Sequence, residues 1–62
     1  MKTRVCQFLD ISVGEIFIYR LAVYRKLGHD EAIRMRDREG RIIGEYDMFK
    51  FLDSDHVTRV GH

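Results

Sequence analysis

Three arginines recur at every second position in Arg34-Met35-Arg36-Asp37-Arg38. On an extended strand such residues share one face and lie about 6.6–7 Å apart. That is close to the spacing of successive phosphates on an extended single strand, so each guanidinium could meet one. A strand read over Val23–Leu27, carrying Tyr24 and Lys26, precedes the row. If the intervening Gly28-His29-Asp30 turn sets Lys26 opposite Ala32, Tyr24 falls opposite Arg34. Tyr24, Lys26, Arg34, Arg36, Arg38 and Arg41 then form a basic surface with one aromatic platform, the composition used on single-stranded nucleic acid. The same alternation also describes any solvated strand face, and Asp37 and Glu39 dilute its charge.

Asp53, Asp55 and His56 are a second group with chemical capacity, since carboxylates beside an imidazole can bind metal or move protons. They stand in Asp53-Ser54-Asp55-His56, which reads as a turn whose Asx side chains serve the backbone. Cys6 and three histidines (His29, His56, His62) show no zinc-finger or ribbon spacing. Cys6 has no partner at a diagnostic position and reads as a small apolar residue. Neither metal nor cofactor is expected, no nucleophile–base pair is evident, and no enzymatic activity or small-molecule substrate is expected.

The third feature is apolar. Ile42, Ile43, Tyr46, Met48, Phe49 and Phe51 crowd one short stretch, and Ile16–Tyr24 is apolar as well. A domain this small has few inward positions, so part of this set is expected outside, where an apolar patch marks a protein interface.

The elements that must position these residues read as short strands. Proline is absent and five glycines punctuate the chain. Val5–Ile11 reads as a first extended segment and Ser12–Glu15 as a turn. Ile16–Arg20 is apolar on both faces, as in a central strand. Leu21-Ala22 reads as a tight connection or a bulge. Val23–Leu27, Glu31–Arg36, Arg41–Tyr46 and Val57–Val60 read as further strands, with Met48–Leu52 apolar and aromatic. In Glu31–Arg36, Ile33 and Met35 are expected inward and the arginines outward. Arg25 is awkward, because it shares a face with Val23 and Leu27. Asp37-Arg38-Glu39-Gly40 carries Asp and Gly where a type I turn prefers them. A helix over Glu45–Leu52, with Ile42, Tyr46 and Phe49 at helical spacing, is the alternative. The expected fold is mostly β: a small SH3-like antiparallel barrel of five or six short strands, with room for one short helix or 3-10 turn.

Phe8-x-Asp10-Ile11-x-Val13-Gly14-Glu15-x-Phe17, then Val23-Tyr24-x-Lys26, Ala32, and Val57-x-Arg59-Val60 resemble a pattern of short phage and prophage proteins. Those run Phe-x-Asp-Leu-x-Val-Gly-x-x-Phe, Tyr-x-Lys, a small residue, a Gly-containing turn and a terminal Val-x-Val. The chain departs from it in having no glycine between Phe17 and Tyr24 and a longer apolar Ile42–Leu52 region. The resemblance implies an SH3-like barrel of viral or mobile-element origin. It implies no catalytic residue and no particular partner.

Sixty-two residues make one domain, residues 1–62. A domain of this size buries only about 60% of its unfolded surface. A single cysteine rules out an intramolecular disulfide staple, which makes oligomerisation a natural source of further burial. The formal net charge of +1, with 34% charged residues, exerts no global pull on nucleic acid or anionic lipid. No export signal or membrane span is read, and a cytoplasmic setting is expected. Two functions follow. The first is a non-enzymatic module that binds a host protein or itself through Ile42–Leu52 and neighbouring strands. The second is a nucleic-acid-binding barrel using the basic face.

Overall fold

The structure, a computed structural model, describes residues 2–43 and 47–61. It is mostly β. Six antiparallel strands form one sheet: β1 Lys2–Gln7, β2 Ile16–Tyr19, β3 Ala22–Lys26, β4 Glu31–Arg36, β5 Met48–Lys50 and β6 His56–Gly61. Their order across the sheet is β1-β6-β2-β3-β4-β5, so the last strand inserts between the first two. The sheet curls around an aromatic core into a barrel-like domain of 27 × 25 × 17 Å. β1 and β5 end the ladder, and no pairing joins them among the described residues.

The turns explain the strand boundaries. Val5–Ile11 does not run as one extended segment. It breaks at a 3-10 turn, Phe8–Asp10, where the Asp10 carboxylate accepts the Gln7 N–H at 3.1 Å and Phe8 swings into the core. Ser12–Glu15 turns as expected: Glu15 N–H donates to Ser12 O at 2.9 Å, and Gly14 supplies a φ of +90°. The β2–β3 connection is Arg20-Leu21 rather than Leu21-Ala22. Both residues take positive φ, 50° and 68°, as a two-residue type I′ hairpin requires. Leu27 and Gly28 N–H groups both donate to Glu31 O, closing the Gly28-His29-Asp30 turn and setting Lys26 opposite Ala32 and Tyr24 opposite Arg34. This is the register that the sequence offers as a condition for the basic surface.

The faces of β4 are the reverse of the expectation. Ala32 is fully buried, Arg34 shares its inward side, and Ile33 lies outward opposite Arg25. The interior holds Phe8, Phe17, Tyr24 and Phe51, with Phe8 on Phe51 at 4.8 Å and Phe17 on Tyr24 at 5.5 Å. Ile11 and Val57 complete the cluster, and the small Ala22 and Ala32 fit beside the rings on β3 and β4. Arg25 is awkward only under the inverted assignment; it stands exposed on the outer face.

After β4, Gly40 N–H donates to Asp37 O at 3.0 Å and Gly40 takes φ +83°. The Asp37 carboxylate accepts the Glu39 and Arg41 N–H groups, closing the expected turn. Of the expected strand Arg41–Tyr46, the described residues 41–43 make one bridge, Arg36 opposite Ile42; Gly44, Glu45 and Tyr46 lie outside the described residues. β5 then pairs with the start of β4, Ile33 opposite Met48, out of step with that bridge. Met48–Lys50 is strand, so the helical alternative does not hold there.

Candidate interaction face

Two lines of side chains cross the outer surface of the sheet. Ile16, Arg25, Ile33 and Met48 are successive register partners on β2, β3, β4 and β5. Beside them run Val5, Thr58, Ile18, Val23, Arg36 and Ile42, from β1 to the bridge beyond β4. They face outward because their sequence neighbours Phe17, Tyr24 and Ala32 fill the core and strand side chains alternate; a register shift in β4 sets Arg36 opposite Val23, on this side, although Arg34 faces in. Ile18, Val23 and Ile33 are half-buried by one another, while Ile16, Met48, Val5 and Ile42 are exposed, Ile42 to 74%. β2 is thus apolar on both sides, and no second layer covers its outer side among the described residues. A sheet apolar on both faces ordinarily has both covered.

Two arginines interrupt this surface. Arg25 and Arg36 have no carboxylate of the described residues within ion-pair distance, and Arg36 donates only to Gly40 O at 3.1 Å. Other cations are engaged. Arg34 binds Asp47 at 2.7 Å, Arg59 binds Glu15 at 2.7 Å, and Lys50 reaches Glu31 at 3.4 Å on the border of the face. The hydrogen bond from Arg59 holds the Glu15 carboxyl below the usual glutamate range, while burial pushes the Tyr24 phenol up.

The residues singled out from sequence divide three ways. Ile42 and Met48 belong to the face; Ile43 is half-buried beside it, its N–H donating to Met35 O at 3.0 Å. Phe49 turns to the inner side at the rim, edge-on to Tyr24 at 5.5 Å and beneath Arg34 at 5.1 Å. Phe51 is core, not surface, because its ring fills the centre of the aromatic cluster. Tyr46 lies outside the described residues.

The expected basic surface is broken up. Tyr24 is buried against Phe17 and is no platform. Lys26 is 5% exposed; its ammonium donates to Phe8 O at 3.1 Å and Ile11 O at 2.8 Å. Arg34 is half-buried in its ion pair. Arg36, Arg38 and Arg41 stay exposed around the hairpin tip, and Arg20 joins them, because its turn lies at the same end of β3 and β4.

Sequence reasoning did not assemble Ile16, Ile18, Val23, Arg25 and Ile33 into one surface. The available signals were the two-sided apolarity of β2 and the arginine set among apolar neighbours on β3. Asp55 serves the backbone, accepting the Leu52 N–H at 2.8 Å. Among the described residues no group of three or more His, Cys, Asp or Glu is placed to hold a metal ion. An open groove of about 550 Å³ runs along β1 and β6 past Arg4, Cys6, His56 and Arg59. Its Arg59 is already committed to Glu15 and to Asp10 O, which leaves few convergent polar groups for a small ligand. No helix of the described residues is long and apolar enough to cross a membrane. No protein family, no curated protein and no solved structure matches the chain.

Proposed function

We propose that this chain is a non-enzymatic protein-interaction module that docks a protein on the outer face of β2–β5. The observation that carries the reading is the pair of apolar lines across a sheet face that no layer covers among the described residues. Contiguous exposed apolar surface on a small domain marks an interaction site, and the β4 and bridge register joins Ile42 and Met48 to it. The resemblance to short phage and prophage proteins supports an SH3-like barrel of viral or mobile-element origin that binds or inhibits a host protein in the host cytoplasm. The experiment is a pull-down from host lysate, with and without nuclease, using the wild-type chain and Ile18→Asp and Ile33→Asp variants. A protein captured by the wild type, retained after nuclease and lost from variants with unchanged circular dichroism supports the reading. Capture indifferent to both substitutions overturns it.

One observation favours nucleic acid as a second reading: Arg20, Arg36, Arg38 and Arg41 are all exposed at one end of the β2–β4 sheet. Binding there should weaken steeply with salt. Anisotropy of labelled single- and double-stranded DNA at low salt tests it. A response abolished by joint Arg36→Glu, Arg38→Glu and Arg41→Glu substitution supports this second reading, and no response at tens of micromolar protein removes it.

A further inference from the structure

We infer that the segment docking on the outer face is acidic as well as apolar: a peptide segment with apolar side chains on Ile16, Ile18, Val23 and Ile33 and carboxylates on Arg25 and Arg36. The inference rests on the protein-docking reading and adds the chemistry of the partner. Arg25 stands directly between Ile16 and Ile33 in register, and Arg36 directly between Val23 and Ile42. A partner covering the apolar residues must also cover both guanidiniums. A cation stripped of water and left unpaired is strongly disfavoured, whereas a bidentate carboxylate satisfies it.

The described carboxylates that adjoin the two lines are already engaged. Glu31 is engaged by Lys50, Asp47 by Arg34, Glu15 by Arg59, and the Asp37 carboxylate by the Glu39 and Arg41 N–H groups. A two-fold dimer through this face, in which the same patch meets itself, would place both copies' Arg25 and Arg36 in one dehydrated layer. Single-stranded nucleic acid fits poorly too, because neither line holds an aromatic ring on which a base could stack.

The test is selection of random peptides displayed on phage against three full-length chains: wild type, the double variant Arg25→Glu/Arg36→Glu, and Ile33→Asp. Selected peptides are then synthesised and titrated by anisotropy. The wild type should select sequences with Asp or Glu between apolar residues. Their affinity should fall roughly tenfold or more on the double variant and return when Lys replaces the acids. Arg25 and Arg36 are exposed, so their reversal leaves the fold intact even if Ile33→Asp does not. Apolar peptides without acidic bias, lost on Ile33→Asp, overturn the acidic chemistry and leave the docking face standing. Peptides indifferent to all three substitutions, or no enrichment, overturn both. A dimer by light scattering that Arg25→Glu strengthens or leaves unchanged assigns the face to a second copy and overturns the inference, as does displacement of the peptides by single-stranded DNA.

Discussion

A charged side chain in a core is costly unless its protons find acceptors, and Lys26 meets that condition. Its stem crosses the interior, its ammonium lies 4.3 Å over the Phe8 ring, and it donates to the carbonyls of Phe8 and Ile11 where the 3-10 turn ends. Those carbonyls have no helix to continue into, so the lysine ties the turn to β3. Lys26→Met keeps the stem and removes the donors. Phe8 O keeps the Ile11 N–H, so stability should fall by about 1–3 kcal/mol, the cost of leaving the buried Ile11 carbonyl without its donor, and the melting temperature by roughly 5–20 °C. An unchanged denaturation midpoint would show that the carbonyls rehydrate freely. The Glu15–Arg59 pair makes a prediction in pH. The carboxyl of Glu15 titrates lower when folded than when unfolded, chiefly through its hydrogen bond from Arg59. Its contribution is therefore complete above the unfolded glutamate value of about 4.3 and is lost as pH falls through the lower folded value. Urea midpoints measured from about pH 7 to about pH 3 should drop on acidification. Glu15→Gln should start lower at neutral pH and lose less on the way down; parallel curves for the two proteins refute the assignment.

At the scale of elements, the β2–β3 hairpin carries backbone strain. Type I′ turns ask both central residues for positive φ, which Asn-Gly supplies easily and which costs a side chain such as leucine about 1 kcal/mol or more. Leu21 holds φ 68° with its side chain 70% exposed, so nothing in the core repays that conformation. Leu21→Gly should raise stability by roughly 0.5–1 kcal/mol in chemical denaturation, and a loss would show that Leu21 makes contacts that matter. The same hairpin shows where the sequence was legible. The Gly28-His29-Asp30 and Asp37–Gly40 turns were readable because glycine and Asx residues announce them, and the first of them closes the β3–β4 hairpin. The Arg20-Leu21 turn has neither residue type, so its placement slipped by one position. The faces of β4 inverted for a different reason. Hydrophobicity places Ile33 and Met35 inside, but space decides against it, since the β4 position beside two stacked ring pairs is taken by the small Ala32. Whether Phe49 or Phe51 reaches the core depends on β5 pairing with the start of β4, a non-local fact that no local pattern encodes. The outer face was missed by the same inversion: Ile33 was assigned to the core, and Arg25 then had no place.

For the whole molecule, the small core and the uncovered face are one problem. A 62-residue chain without a disulfide is only marginally stable alone, yet its central strands spend apolar side chains on a face that no layer covers among the described residues. A partner that covers the face adds what the monomer lacks, so binding and stability should be strongly linked. A ligand that binds only the folded state at one hundred times its dissociation constant stabilises by about 2.7 kcal/mol. For a domain of this size each kcal/mol moves the melting temperature by roughly 4–8 °C, which makes the expected shift about 10–20 °C. The chain has no tryptophan, so far-ultraviolet circular dichroism is the direct readout. A selected acidic peptide should raise the transition progressively with concentration. Ile33→Asp should melt at one temperature whatever peptide is added. Salt separates the two sources of attraction: a shift carried by apolar contact persists at high ionic strength, whereas one carried by the arginines alone collapses with it. A shift that vanishes with salt and survives Ile33→Asp would move the binding site from the outer face to the hairpin tip of Arg36, Arg38 and Arg41.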